Sequence, residues 1–145
     1  MMKNEDLSEE EQKQLQKMTF APGVPVDGFY QKAFINMLLG PGHPSGSSIG
    51  VVTMEPGAHN NWHTHYGWQI LMVTDGEGFY QEKGKKAKHL KKGDVVVVQP
   101  GVMHWHGAAP DHWFAHIAAV VGNDGYTNVG EPLPKDEYEK ACREE

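Results

Sequence analysis

The chain offers almost no sulfur chemistry. Its one cysteine, Cys142, excludes an internal disulfide and a cysteine-based zinc site within one chain. No run of about eighteen apolar residues occurs, so no membrane-spanning helix is expected. The first residues, MMKNEDLSEEEQKQLQKM, are charged and lack the apolar stretch of a secretory signal, which makes the cytoplasm the expected compartment. Cationic charge is scarce as well. Thirteen Lys and Arg face nineteen Asp and Glu, for a net charge of −6. That balance argues against nucleic-acid binding, which needs clustered Lys and Arg. One basic cluster exists, KGKKAKHLKK at Lys83 to Lys92, and its Gly84 stands where a hairpin turns; it reads as a solvated hairpin tip.

At 145 residues the chain is one domain's worth, long enough to bury a core without covalent staples. Helical periodicity is confined to its two ends. Residues 5–18 read as a short helix with Leu7, Leu15 and Met18 as its apolar positions, and Ser8 with Glu11 fits a capping box. Lys135–Glu144 reads as a terminal helix, with Pro134 suited to its first turn. Between them lie short strand-like runs: Ala33–Leu39, Ser48–Glu55, Trp68–Thr74, Phe79–Glu82, Lys88–Leu90, Val95–Gln99 and His112–Val121. Turn signals separate them, among them Pro56-Gly57, Asp75-Gly76, Gly93-Asp94 and Pro100-Gly101. This pattern predicts an all-β sandwich or barrel.

Histidine is what the sequence has in excess, nine in all. Five fall in two stretches about forty residues apart: His59, His63 and His65, then His104 and His106. In a strand, alternate side chains share a face. His63 and His65 therefore project together, as His104 and His106 do, and Gln69 has even spacing from His65. Two His-X-His strands meeting at one site is the pattern of a metal centre. An imidazole near neutral pKa is also a natural proton carrier, which makes His106 a candidate acid or base beside the metal. His59 reads as a loop residue. His43, His89 and His112 read as surface residues. Trp62, Trp68, Trp105, Trp113 and Phe114 read as packing side chains.

The stretch from Gly57 to Gly76 resembles the first cupin motif, with Gly57, His63, His65, Gln69 and Gly76 at every required spacing. The stretch from Gly93 to His106 resembles the second, on Gly93, Gly101 and His104. Gln99 stands where that motif usually has proline, and Ala108 where it has asparagine; neither is a ligand position. The resemblance covers roughly residues 30–121. It implies an all-β, single-domain double-stranded β-helix, the jelly-roll barrel of the cupins, with short terminal helices. Residues 1–29 would form an N-terminal helix and arm, 30–121 the barrel, and 122–145 a tail with a short helix. Within the family, Trp-His-Thr-His, Gln in place of Glu and His-Trp-His-Gly-Ala resemble the small single-domain cupins of the manganese-dependent hydroxynitrile lyase group, often labelled carboxymuconolactone-decarboxylase-like. That resemblance implies one divalent metal on His63, His65, Gln69 and His104. It also makes His116 a second cavity histidine, catalytic together with His106.

Three imidazoles and an amide form a neutral first shell. Such a shell accepts Mn, Fe, Co, Ni, Cu or Zn, and the resemblance favours Mn. It leaves the full charge on the ion and disfavours the higher oxidation state that oxygen activation needs. The expected function is therefore a metal-dependent lyase acting on a small carbonyl adduct. Alternatives are an Fe or Cu oxygenase or oxidoreductase, and a small-molecule-binding cupin without turnover. Neither nucleic acid nor membrane is an expected partner. Open edges of a small barrel predict a homodimer or homotetramer.

Overall fold

The computed structural model describes residues 7–122 and 127–143. Among them are ten strands and two helices. Strands β1 (Val24–Val26), β2 (Ala33–Leu39), β3 (Ser47–Met54), β4 (His63–His65) and β5 (Trp68–Glu82) come first. Then follow β6 (Lys88–Lys91), β7 (Val95–Val98), β8 (His104–Ala108), β9 (Phe114–Val121) and β10 (Thr127–Val129). The helices are α1 (Glu9–Gln16) and α2 (Lys135–Arg143). All strand pairings are antiparallel. This is the single-domain all-β jelly roll that the sequence predicts.

Strand β5 decides the shape. Trp68–Gly76 pairs with β9, and Gln69–Met72 also pairs with β7, in the sheet that continues through β3 and β2 to β1. Gly78–Glu82 pairs with β8, and Glu77–Tyr80 with β6, in the sheet that continues through β4 to β10. One long strand thus serves both walls of the barrel. The sequence suggests two strands here, separated by a turn at Asp75-Gly76. The structure corrects this: the chain bulges between Val73 and Asp75 and continues as strand. Gly76 makes the bend possible. Its φ is 70°, and a Cβ there would overlap the Trp113 carbonyl.

Period-two alternation sends Leu71, Val73, Val96, Val98, Val52, Met54 and Phe114 inward, where they form the main core with Tyr80 and Leu90. A second cluster lies outside the β5–β8 sheet. Trp105, Phe79 and Trp62 pack there against Leu133, Tyr138 and Ala141, so α2 covers that face. On the other sheet α1 covers only a corner, with Leu7 and Leu15 against Phe34 and half-buried Trp113. The expected capping box is present: Ser8 Oγ accepts from the Glu11 N–H, and Glu11 Oε1 accepts from the Ser8 N–H. Of the expected helix, residues 5 and 6 lie outside the described residues. Glu11 also holds Lys32 at 2.9 Å, which ties α1 to the residue before β2.

Two short strands escape the sequence pattern: β1 and β10 have three residues each, too few to show alternation. The expected strand through His104 and His106 is β8. β10 belongs to the tail that follows the expected barrel, yet it pairs with β4 and thereby reaches the histidines.

Candidate metal centre

Each candidate ligand is positioned by a strand register. His63 on β4 lies directly opposite His104 on β8. On β5, Tyr80 is opposite His106 and Glu82 opposite His104. Gln69 is opposite Val98 on one side and Val120 on the other. His116 on β9 is opposite Val52 on β3 and Val73 on β5. All of these histidines and Gln69 are buried, with His104 and His116 at 0% exposure.

The rings gather closely. The centroids of His63 and His104 are 4.2 Å apart, those of His63 and His65 5.0 Å, and those of His63 and His106 5.4 Å. His63, His104 and His106 bring ligand atoms within 4.8 Å of one another, so these three could hold a metal ion. His106 thus stands nearer the cluster than a residue merely beside it. His116 meets the His106 ring edge-on at 4.8 Å and lies 5.1 Å from Phe114.

The outward nitrogens are tied to the scaffold. His63 Nδ1 donates to the Asn61 carbonyl at 2.7 Å, and His104 Nδ1 to the Val102 carbonyl at 2.9 Å. His65 Nδ1 lies 3.0 Å from Thr127 Oγ1 on β10. With Nδ1 protonated in a neutral ring, Nε2 carries a bare lone pair. The Nε2 of His104 faces Gln69 Oε1 at 2.9 Å, two acceptors pointing at each other. The Nε2 of His65 is buried without a partner. A shared cation relieves both situations, and hydrogen bonds from Nδ1 to the scaffold are what metal-binding histidines use to fix tautomer and orientation. The residues present fit a divalent transition metal.

The protonation states agree with this. Burial, with the charge of His63 second, holds His65 down to about 4 and His104 down to about 3. Burial alone holds His116 at about 3. His106 is pushed well below its ordinary range by burial and then by His116. His63 is lowered by burial, partly opposed by its bond to Asn61. These rings are neutral at physiological pH and free to act as ligands or proton acceptors.

Above the cluster opens a cavity of about 350 Å³. Its walls are apolar, from Phe29, Ile35, Val52, Ala118 and Val129. Its floor presents His63, His65, Gln69 and His106 with Asn60, Asn61 and Thr127. Asn60 grips His106: its Oδ1 accepts from the His106 backbone N–H at 3.0 Å, and its Nδ2 lies 3.1 Å from the ring Nε2. Sequence reasoning missed Asn60 and Thr127, since a lone amide or hydroxyl in a loop or tail carries no signal until the fold brings it to a ring.

The remaining histidines lie elsewhere. His59 is buried under α2 with its ring stacked between Tyr30 and Tyr138. His43 and His112 are exposed, and His89 and His112 both contact Glu77. Trp62 and Trp105 are packing residues as expected, whereas Trp68 stands 47% exposed on the outer face of β5.

The sequence family described as cupin domain matches residues 50–116. An (R)-mandelonitrile lyase of Granulicella tundricola is 41% identical over 101 residues, which span 70% of this chain and 77% of that protein. Among solved structures, a cupin-like protein from Thermotoga maritima is 41% identical, with a TM-score of 0.81 over 85% of this chain and 96% of that one. A DMSP lyase from Ruegeria pomeroyi, 21% identical with a TM-score of 0.61, covers 83% of this chain and 60% of that one, and shares the fold.

Proposed function

The chain belongs to the cupin family, and on that premise we propose that it is a metal-dependent lyase that cleaves a small, largely apolar carbonyl adduct of the hydroxynitrile type. The proposed ligands are His63, His65, Gln69 and His104, with manganese favoured. A divalent ion there would supply Lewis acidity that lowers the pKa of a substrate hydroxyl. The rest falls to the chain's own residues. His106, neutral, accepts the hydroxyl proton at Nε2 in place of the hydrogen bond that the Asn60 amide gives that nitrogen, while Asn60 Oδ1 keeps its hold on the His106 backbone N–H. The carbon–carbon bond breaks, its electron pair leaves with cyanide, and the oxygen becomes the carbonyl. The proton held by His106 then passes to cyanide, so the products are the carbonyl compound and hydrogen cyanide. His116 donates a ring N–H hydrogen bond to the departing group.

The observation that carries this reading is the His106–His116 pair. Both nitrogens of the fully buried His116 lack a partner, and its ring lies 4.8 Å from that of a second neutral imidazole facing the cavity. Buried polar groups without partners call for an explanation, and contact with a small polar leaving group held beside His106 during turnover supplies one. The relative named for mandelonitrile cleavage supports the choice of substrate class. The apolar walls accommodate a phenyl or alkyl substituent.

The test is direct. Protein loaded with Mn(II) is given racemic mandelonitrile, and benzaldehyde release is followed against a chelator-treated control. Metal-dependent release is expected, lowered about 10²- to 10⁴-fold in His106→Ala. Absence of metal-dependent release, or an unchanged rate in His106→Ala, would refute the proposal.

A further inference from the structure

The cavity above the imidazoles carries one ionised side chain. Among the described residues, Asp27 is the only Asp, Glu, Lys or Arg in its lining. The carboxylate is exposed and has no hydrogen bond or ion pair among the described residues. Its place is nevertheless fixed. Val26, just before it, pairs with Ala33, and Tyr30, shortly after it, exchanges two backbone hydrogen bonds with His59 at 2.9 and 3.2 Å. The arm therefore holds one negative charge at the mouth of an apolar chamber.

Among the described residues no cation lines that mouth to balance it. Lys83, Lys85 and Lys86 line a different groove beside Trp62. The single arginine, Arg143, lines another cavity under α2. A charge at a rim backed by apolar walls biases what enters, and it selects by repulsion as much as by attraction.

We propose that Asp27 sets the substrate class of this cavity: the end of the substrate remote from the reacting hydroxyl is neutral or cationic, and substrates with a carboxylate there are rejected. This rests on the reading above in taking the cavity as the substrate site. It adds a criterion that the lyase chemistry alone does not impose, since a carboxylate-bearing adduct would react equally well if it could enter.

Binding separates the two claims. Three probes are titrated calorimetrically into the metal-loaded protein and, to separate coordination of a carboxylate by the ion from the effect of Asp27, into chelator-treated protein: benzyl alcohol, its para-aminomethyl derivative and its para-carboxy derivative. The ammonium probe is expected to bind about tenfold more tightly than the carboxylate probe, with benzyl alcohol between them. Asp27→Asn should collapse that ratio toward unity, Asp27→Glu should keep most of it, and added salt should weaken it. A carboxylate probe that binds wild-type protein as tightly as the ammonium probe would overturn the inference. So would a ratio unmoved by Asp27→Asn. If the ratio holds while mandelonitrile is not cleaved, the charge filter stands and the lyase reading falls. Cleavage with a flat ratio leaves the lyase standing and removes the filter.

Discussion

His65 and Thr127, sixty-two residues apart, meet at 3.0 Å between the ring Nδ1 and the hydroxyl Oγ1. They are direct neighbours in the pairing of β4 with β10. The tail after the main barrel strands therefore runs along β4, with Val129 opposite His63 as Thr127 is opposite His65, and the Thr127 hydroxyl fixes which nitrogen His65 turns toward the cluster. That nitrogen, Nε2, is buried and otherwise unpartnered.

Removing the contact should loosen the metal more than the fold. Thr127→Val keeps the shape and the β propensity but deletes the hydroxyl. We expect metal affinity to fall about 10- to 100-fold, the usual effect of losing an outer-shell partner. Stability without metal should change by only about 1 kcal/mol, the net worth of one hydrogen bond. Thr127→Ser should restore most of the affinity. Competition with a chromophoric chelator measures the first effect and urea unfolding the second.

The ligand set itself can be resolved by a pair of variants. The spacing of the sequence motif points to His63, His65, Gln69 and His104, whereas ring proximity groups His63, His104 and His106. On the four-ligand reading, His65→Ala lowers metal affinity by orders of magnitude, and His106→Ala leaves one ion bound per chain. On the alternative, the two outcomes exchange. We expect the first pattern, because His65 Nε2 is buried without a partner while His106 is engaged by Asn60. Elemental analysis of each variant after dialysis against the metal distinguishes the two sets.

Most of the site was legible in the sequence because strand geometry leaves little freedom. Once His63 and His65 lie on one strand, period two makes them share a face, and the same holds for His104 and His106. Gln69 is less direct: Tyr66-Gly67-Trp68 intervene, so its even spacing from His65 puts it on the same face only where the chain stays extended, and the motif spacing supports it. The break expected at Asp75-Gly76 failed for a physical reason. A glycine at positive φ serves a bulge as well as a turn, and local sequence does not distinguish them. Val95–Val98 gave no sign of which face is inner: Val96 and Val98 are buried, while Val95 and Val97 are more than half exposed. Only the pairing with β5 fixes that register. The roles of Asp27, Asn60 and Thr127 depend on contacts made across the fold, which no short window contains.

Acid should unfold the metal-free protein through these same rings. In the unfolded chain a histidine takes up a proton near pH 6.5. In the folded protein burial delays this to about 4 for His65 and about 3 for His104 and His116. Between those limits the unfolded state binds more protons, so stability rises with pH. The contribution is complete above the unfolded value and is lost progressively as pH falls toward the folded values. Each ring costs about 1.4 kcal/mol per pH unit over that interval, or about 2 kcal/mol by pH 5. Three such rings approach the whole stability of an ordinary domain, about 5–15 kcal/mol. Urea midpoints of chelator-treated protein should therefore drop steeply between pH 7 and pH 5, and His116→Asn should lessen the slope by the share of one proton. Saturating metal should raise the midpoint at pH 7 and lose that advantage on acidification, because protons compete with the ion for the same nitrogens. A midpoint independent of pH across this range would mean that the rings take up protons as readily in the folded chain as in the unfolded one, and the picture of a buried cluster of neutral imidazoles would then fail.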